Sequence, residues 1–194
     1  MPRKKDLNVF LRVLKEIDRE FEEVQEGLES APEAWTSSKG ELVHLPTDFT
    51  MYLNFINGLR RVKDDKYFTF RIVPVSEFTD YFSFQRYSEA EDLNATPDLY
   101  PGDRASNCIL FGGEGEFGVY VLNCTPGSPR YGHVYCIVNN VPERTAEWPT
   151  FTAFFGGLPE YCRVYPLEKY KEELPGSSPC FGYAFKRNIV VPQV

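Results

Sequence analysis

Ile109-Leu110-Phe111-Gly112-Gly113-Glu114-Gly115-Glu116-Phe117-Gly118-Val119-Tyr120-Val121 is an apolar run that passes through glycines into a second apolar run. Cys108 to Phe111 and Phe117 to Leu122 read as neighbouring antiparallel strands, because short runs of β-branched and aromatic residues separated by glycine are the pattern of a hairpin. Glycine suits the connection, since it takes positive φ without steric cost. A phosphate-cradling loop also uses glycines, but it opens a helix and usually carries a lysine. Here a strand comes next, no Lys-Ser or Lys-Thr follows, and the intervening residues are glutamates, which repel phosphate.

Upstream, Leu45-Pro46-Thr47-Asp48-Phe49 runs into Phe55-Ile56-Asn57-Gly58. Phe49, Leu53 and Ile56 share one side of a helix over 49–56, capped by Thr47 or Asp48 and closed by Asn57-Gly58 in the left-handed conformation. Tyr67 to Val75 alternates Phe68, Phe70 and Ile72 inward against Thr69, Arg71 and Val73, a half-buried strand ended by Pro74. Leu7, Phe10, Leu14, Ile17, Phe21, Val24 and Leu28 recur in steps of three and four, which predicts one long helix within residues 1–31, started by Asp6 or Asn8 and ended by Gly27 and Pro32. The same spacing fits a coiled-coil seam, while Val9, Leu11 and Val13 widen the stripe as a helix packed on its own sheet would. Trp35, inside a polar loop, is expected to plug the core. Ser76-Glu77 leading to Phe78, Tyr81, Phe82 and Phe84 is a short helix or an aromatic-rich turn.

Downstream, Glu89 to Asn107 is polar and too long for an ordinary connection, so it reads as a surface excursion. Thr125 to Pro129 makes a turn, and Val134 to Val138 another strand. Trp148-Pro149-Thr150-Phe151 with Phe154 and Phe155 suits a helix opened by Pro149 and closed by Gly156-Gly157. Residues 159–194 read as an extension of the same domain, with a short helix from Leu167 to Leu174 and a last strand at Ile189-Val190-Val191.

A chain of 194 residues supports one domain, and its 42% hydrophobic and 15% aromatic content excludes general disorder. No apolar run approaches the roughly 20 residues of a membrane-spanning helix, and the charged start lacks an apolar signal core. The expectation is a soluble cytoplasmic protein, with a nuclear location open through Arg3-Lys4-Lys5. The formal charge is −7. Six glutamates and no Lys or Arg lie between Glu20 and Glu33, and seven acidic residues face Arg86 alone from Glu77 to Asp103. Such a surface repels phosphate backbones, which argues against direct nucleic-acid binding, and it draws basic partners. Glu77, Asp80, Glu114 and Glu116 are the candidate partner-binding residues.

The five cysteines are odd in number and widely spread, which fits reduced thiols acting as small hydrophobes. The only histidines, His44 and His133, lie far apart, so neither a metal nor a cofactor is expected. His133 with Cys136 resembles a nucleophilic pair, but an odd step along a strand sends the two to opposite faces. Glu114 and Glu116 face the same way in a strand and are read as solvated contact residues rather than an acid and base.

Taken in order, the Leu45-Pro46 to Asn57-Gly58 stretch, Ile109 to Val121, and Trp148-Pro149-Thr150-Phe151 to Phe155 resemble the Smi1/Knr4, or SUKH, superfamily over about residues 7–158. The resemblance implies an α+β fold with helices packed on a mixed, mostly antiparallel sheet, and a non-enzymatic role in protein binding. Many bacterial members are immunity proteins that neutralise a cognate toxin, often a nuclease; other branches act as fungal signalling scaffolds or viral counter-defence proteins. Toxin neutralisation through an acidic surface is therefore the first expectation, and a viral or eukaryotic scaffold the alternative. The resemblance supplies no catalytic residue.

Overall fold

The computed structural model describes residues 4–17, 21, 23–62, 68–84, 101–114, 118–138 and 144–164. At its centre is the expected hairpin, β7 (Cys108–Glu114) with β8 (Gly118–Asn123), in which Cys108 stands opposite Asn123 and Glu114 opposite Gly118. On one side follow β9 (Val134–Val138) and β10 (Arg144–Trp148); on the other β5 (Phe68–Ile72), β4 (Ile56–Val62) and β1 (Glu23–Glu26). A short β6 (Thr79–Asp80) also pairs with β7, which completes an eight-stranded sheet whose neighbours are antiparallel. β2 (Ala34–Thr36) and β3 (Leu42–His44) form a separate antiparallel pair. The helices are α1 (Lys4–Ile17), α2 (Thr47–Phe55), α3 (described over 81–84), α4 (Phe151–Gly156) and α5 (Leu158–Val164). The protein is α+β, and among the described residues no helix is long and apolar enough to cross a membrane.

Strand alternation divides the apolar side chains between two clusters. Ile109 and Phe111, Tyr120 and Leu122, and Val134 and Cys136 join the helices in the main core. Cys108, Val121, Tyr135 and Ile137 point the other way into a smaller cluster with Tyr81, flanked by Phe84, Ala105 and Leu110. The main core is aromatic. Phe151 lies 4.7 Å from Phe49 and 4.8 Å from Tyr52, and Phe154 lies 4.9 Å from Tyr120 and 5.1 Å from Trp148, mostly in the edge-to-face geometry that ring quadrupoles favour. Trp35 is partly buried against this core.

Several expectations are corrected. The predicted helix through Leu28 stops at Ile17, and Val24 lies in β1 opposite Leu59 of β4. Phe10, Val13 and Ile17 keep the helical stripe, but Phe21 turns its ring edge-on to Phe70 at 5.8 Å instead. Asn57-Gly58 does not close α2. The helix ends at Phe55, Ile56 is already extended, and Gly58 sits within β4 at φ +142°. Nor do Gly112 and Gly113 make the turn: they belong to β7, and a Cβ on Gly112 would lie 2.4 Å from the Arg71 carbonyl oxygen. Glycine here permits close approach of backbones. The end of the Glu89 to Asn107 excursion is fastened down, with Ser106 and Asn107 buried before β7. β2, β3, β4 and β10 were not anticipated. The start of the 159–194 segment continues α5, whose Tyr161 and Cys162 are in the main core. The helix expected at 167–174 and the strand at 189–191 lie outside the described residues.

Candidate functional site

Among the described residues, the sheet's two faces are not equally covered. Helices α1, α2, α4 and α5 contribute to the main core on one face. On the other, the smaller cluster lies over β7, β8 and β9. Beyond it, on β1, β4 and β5, lies an open cleft of about 210 Å³ lined by Gln25, Gly58, Leu59, Arg60, Arg71, Ile72 and Pro74.

The register explains how the cleft arises. Leu59 is opposite Ile72 and Arg61 opposite Phe70, and Leu59, Phe70 and Ile72 are all in the main core. Arg60 and Arg71, directly paired between them, therefore share the other face. Two like charges placed opposite each other across a strand pair destabilise a sheet unless something negative offsets them. For Arg71 that group is Glu77, whose carboxylate accepts from Nη2. Glu77 ends the 3-10 turn Val75–Glu77, and that turn is held by a 2.9 Å hydrogen bond from the Val75 N–H to Asn57 Oδ1. Gly58 keeps the hollow open. A Cβ there would come within 3.2 Å of the Gln25 side chain. A guanidinium fork recognises carboxylate or phosphate oxygens through paired N–H donors, so the chemistry of this cleft is anion recognition.

Of the four acidic candidates, Glu77 is exposed and paired as described. Asp80 is a correction: it is fully buried, accepting from the Ser38 N–H at 2.6 Å and the Ser83 N–H at 2.8 Å, so it cannot meet a partner from the surface. Burial pushes its carboxyl upward, but hydrogen bonds from Ser38 and Ser83 outweigh that and hold it below the ordinary aspartate value. Glu114 is the last residue of β7, and Glu116 lies outside the described residues.

Other polar groups are engaged in fastening loops. Asp103 accepts from Ser128 Oγ at 2.6 Å, Asn123 Nδ2 at 2.8 Å and the Tyr135 hydroxyl at 2.9 Å. Asn123 Oδ1 accepts in turn from the Thr125 N–H at 2.9 Å. Burial first, and then donation to Asp103, raises the Tyr135 hydroxyl well above its usual range. Asp48 reaches α4, accepting from the Thr152 N–H at 2.8 Å and its hydroxyl at 3.1 Å. Neither Thr47 nor Asp48 caps α2 itself: the cap residue is Pro46.

The remaining nucleophile candidates are separated. His133 Nδ1 is 2.6 Å from Glu147 Oε1, with Arg130 Nε 3.8 Å from the same oxygen, while Cys136 is buried in the main core. His44 is exposed on β3, and its carbonyl accepts from the Tyr131 hydroxyl at 3.1 Å. Burial pushes the Cys108 thiol up to about 12 and the Cys124 thiol well above its ordinary value, so neither supplies thiolate near neutral pH. Among the described residues no cluster of three or more His, Cys, Asp or Glu is placed to hold a metal ion.

Arg60 escaped the sequence reading because β4 did; Arg71 was placed on the outward side of its strand, without a role. The stretch Leu59-Arg60-Arg61-Val62 gives no period-two signal, because Arg61 is itself buried opposite Phe70 on the core side, so alternation could not have shown it. Comparison of the chain with protein-family models, with curated proteins and with solved structures finds no match.

Proposed function

We propose that this chain is a non-enzymatic protein-binding module of the SUKH kind, whose partner is a basic protein such as a toxin domain. The observation that carries the reading is how its reactive side chains are used: Asp48, Asp80 and Asp103 fasten backbone segments, and Cys108, Cys124, Cys136 and Cys162 are packed inside. Support comes also from the order of the three sequence motifs and from the α+β architecture on which they fall. With a net charge of −7, a basic partner is drawn in from a distance set by the Debye length, about 8 Å at physiological salt and about 30 Å at a tenth or less of it. Asp80 is buried and Glu77 is paired with Arg71, so the attraction is assigned to the summed charge of the chain.

The test is affinity capture on the immobilised chain with partner identification by mass spectrometry, followed by association rates of the purified partner over a range of salt. A basic partner whose on-rate falls steeply with salt while its off-rate changes little is the expected result. Acidic partners bound at a salt-independent rate would remove the electrostatic basis of the proposal. Turnover of a small substrate by the purified chain, abolished by a single substitution, would remove the non-enzymatic one.

A further inference from the structure

We propose that the tip of the β2–β3 pair, residues 37–41, is a strap that opens without the rest of the fold and uncovers the Asp80 carboxylate as it does so. This goes beyond the reading above, because it concerns a motion within the chain and needs no partner. The pair stands apart from the large sheet and holds only three facing residues on each strand. Its base is anchored: Val43 is in the main core, Trp35 packs against it, and the Leu45 N–H donates to the Glu33 carbonyl at 2.9 Å. The tip beyond is a unit of its own. The Gly40 N–H donates to the Ser37 carbonyl and the Ser37 N–H to the Glu41 carbonyl, each at 2.9 Å, while the Glu41 N–H reaches Ser37 Oγ at 3.2 Å. Gly40, at φ +76°, supplies the left-handed residue that closes this turn. Ser37 is buried, and Ser38, Lys39, Gly40 and Glu41 are exposed.

Among the described residues, this tip reaches the rest of the fold through Asp80, Phe82 and Ser106. The Ser38 N–H donates to Asp80 Oδ2 at 2.6 Å, Lys39 Nζ lies 4.0 Å from the centre of the Phe82 ring, and Ser106 Oγ donates to Glu41 Oε2 at 3.3 Å. A cation–π contact made by an exposed lysine and a long bond between part-buried side chains are weak, so the charge-assisted bond to Asp80 is the main fastening. Asp80 itself is the stationary side of the contact. Its Oδ1 accepts from the Ser83 N–H at 2.8 Å, and its backbone pairs with Ile109 of β7. A segment with exposed backbone hydrogen bonds and few anchors opens at a fraction of the free energy of global unfolding. When Ser38 lifts away, Oδ2 loses the donor that closes over it and water takes that place.

The test uses the full chain, with amide hydrogen exchange followed residue by residue by NMR in low urea and carbodiimide labelling of carboxylates read by mass spectrometry. The Ser38, Gly40 and Glu41 amides are all hydrogen-bonded, so their exchange measures opening of the tip. They should exchange at least roughly tenfold faster than the ladder amides of β7 and β8 and respond little to urea, because a local opening exposes little surface. Gly40→Val strains the turn at φ +76°, where no other atom lies within 4 Å, and leaves the Asp80, Lys39 and Glu41 side chains in place. It should speed both Ser38 exchange and Asp80 labelling by roughly tenfold, with labelling of the exposed Glu29 as the reference. Lys39→Ala, a surface change that the fold tolerates, should raise both several-fold. Tip amides that exchange at the same rate and with the same urea dependence as those of β7 and β8 would overturn the proposal, since the tip would then open only with the whole molecule. So would Asp80 labelling that stays at the parental rate in both variants, which would show that the tip is not what covers it. Neither readout depends on whether a basic partner is captured.

Discussion

Asp80 shows how one carboxyl can be misread when only its charge is considered. In the sequence it is one of seven acids in a negative stretch; in the fold it is fully buried, and its two oxygens join the backbone at Ser38 to that at Ser83. Its folded value lies below the ordinary 3.8, so its contribution to stability is complete above that value. The contribution is lost as pH falls from there through the lower folded value. Asp80→Asn should remove this acid-dependent component and cost about 1–3 kcal/mol near neutral pH, measured as urea midpoints from pH 7 down to pH 2. An unchanged acid limb would show that the two bonds carry no weight. Gly112 is the counterpart among uncharged residues. Because a Cβ would meet the backbone oxygen of Arg71 at 2.4 Å, Gly112→Ala must push β5 away from β7, and a loss of roughly 1–3 kcal/mol in chemical denaturation is expected. Stability equal to the parent would mean the strands have room to part.

Among elements, the period-two stretches were legible and the connections between them were not. β7, β8 and β9 are apolar runs whose side chains fill both clusters, and β5 sets Phe70 and Ile72 toward the main core with Arg71 on the other face, so their patterns survive in the sequence. The stripe from Leu7 to Leu28 obeys a helical period throughout, yet chain beyond Ile17 becomes a strand because β4 has an edge for it to pair with. Local periodicity carries no information about such a partner. β4 was hidden for a related reason, as Asn57-Gly58 is a turn signal used inside a strand, where Asn57 holds the Val75 turn. With β4 went Arg60 and half of the cleft. Asp48 illustrates the same limit on α2: expected as a possible cap for its own helix, it holds the start of α4. Asp48→Ala should cost about 1–2 kcal/mol, and Thr152→Ala less, since only the hydroxyl bond is lost and the N–H bond remains; urea titration of both variants checks the order.

At the scale of the whole molecule, the aromatic core makes a single layer between the helices and the sheet, and its thiols report on it. Cys108, Cys124, Cys136 and Cys162 are all buried. Alkylation by iodoacetamide near neutral pH, read by mass spectrometry, should leave these four largely unmodified in the native protein and label them rapidly in denaturant. Fast labelling of Cys108 or Cys124 under native conditions would show that its part of the core opens readily. Composition foretold this core well, because 16 Phe and 12 Tyr had to be placed somewhere dry. It could not foretell where, among the described residues, the smaller cluster on the outer sheet face stops.

The order of the strands carries a further consequence. β7, β8, β9 and β10 succeed one another in space as they do along the chain, so each docks on a predecessor already in place and only short loops are closed. β1 is different, for it reaches β4 only after β2, β3 and α2 have been laid down between them. Loop-closure entropy therefore favours the meander as the part that closes most cheaply, while the strand that brings Gln25 to the margin of the arginine cleft depends on a partner far along the chain.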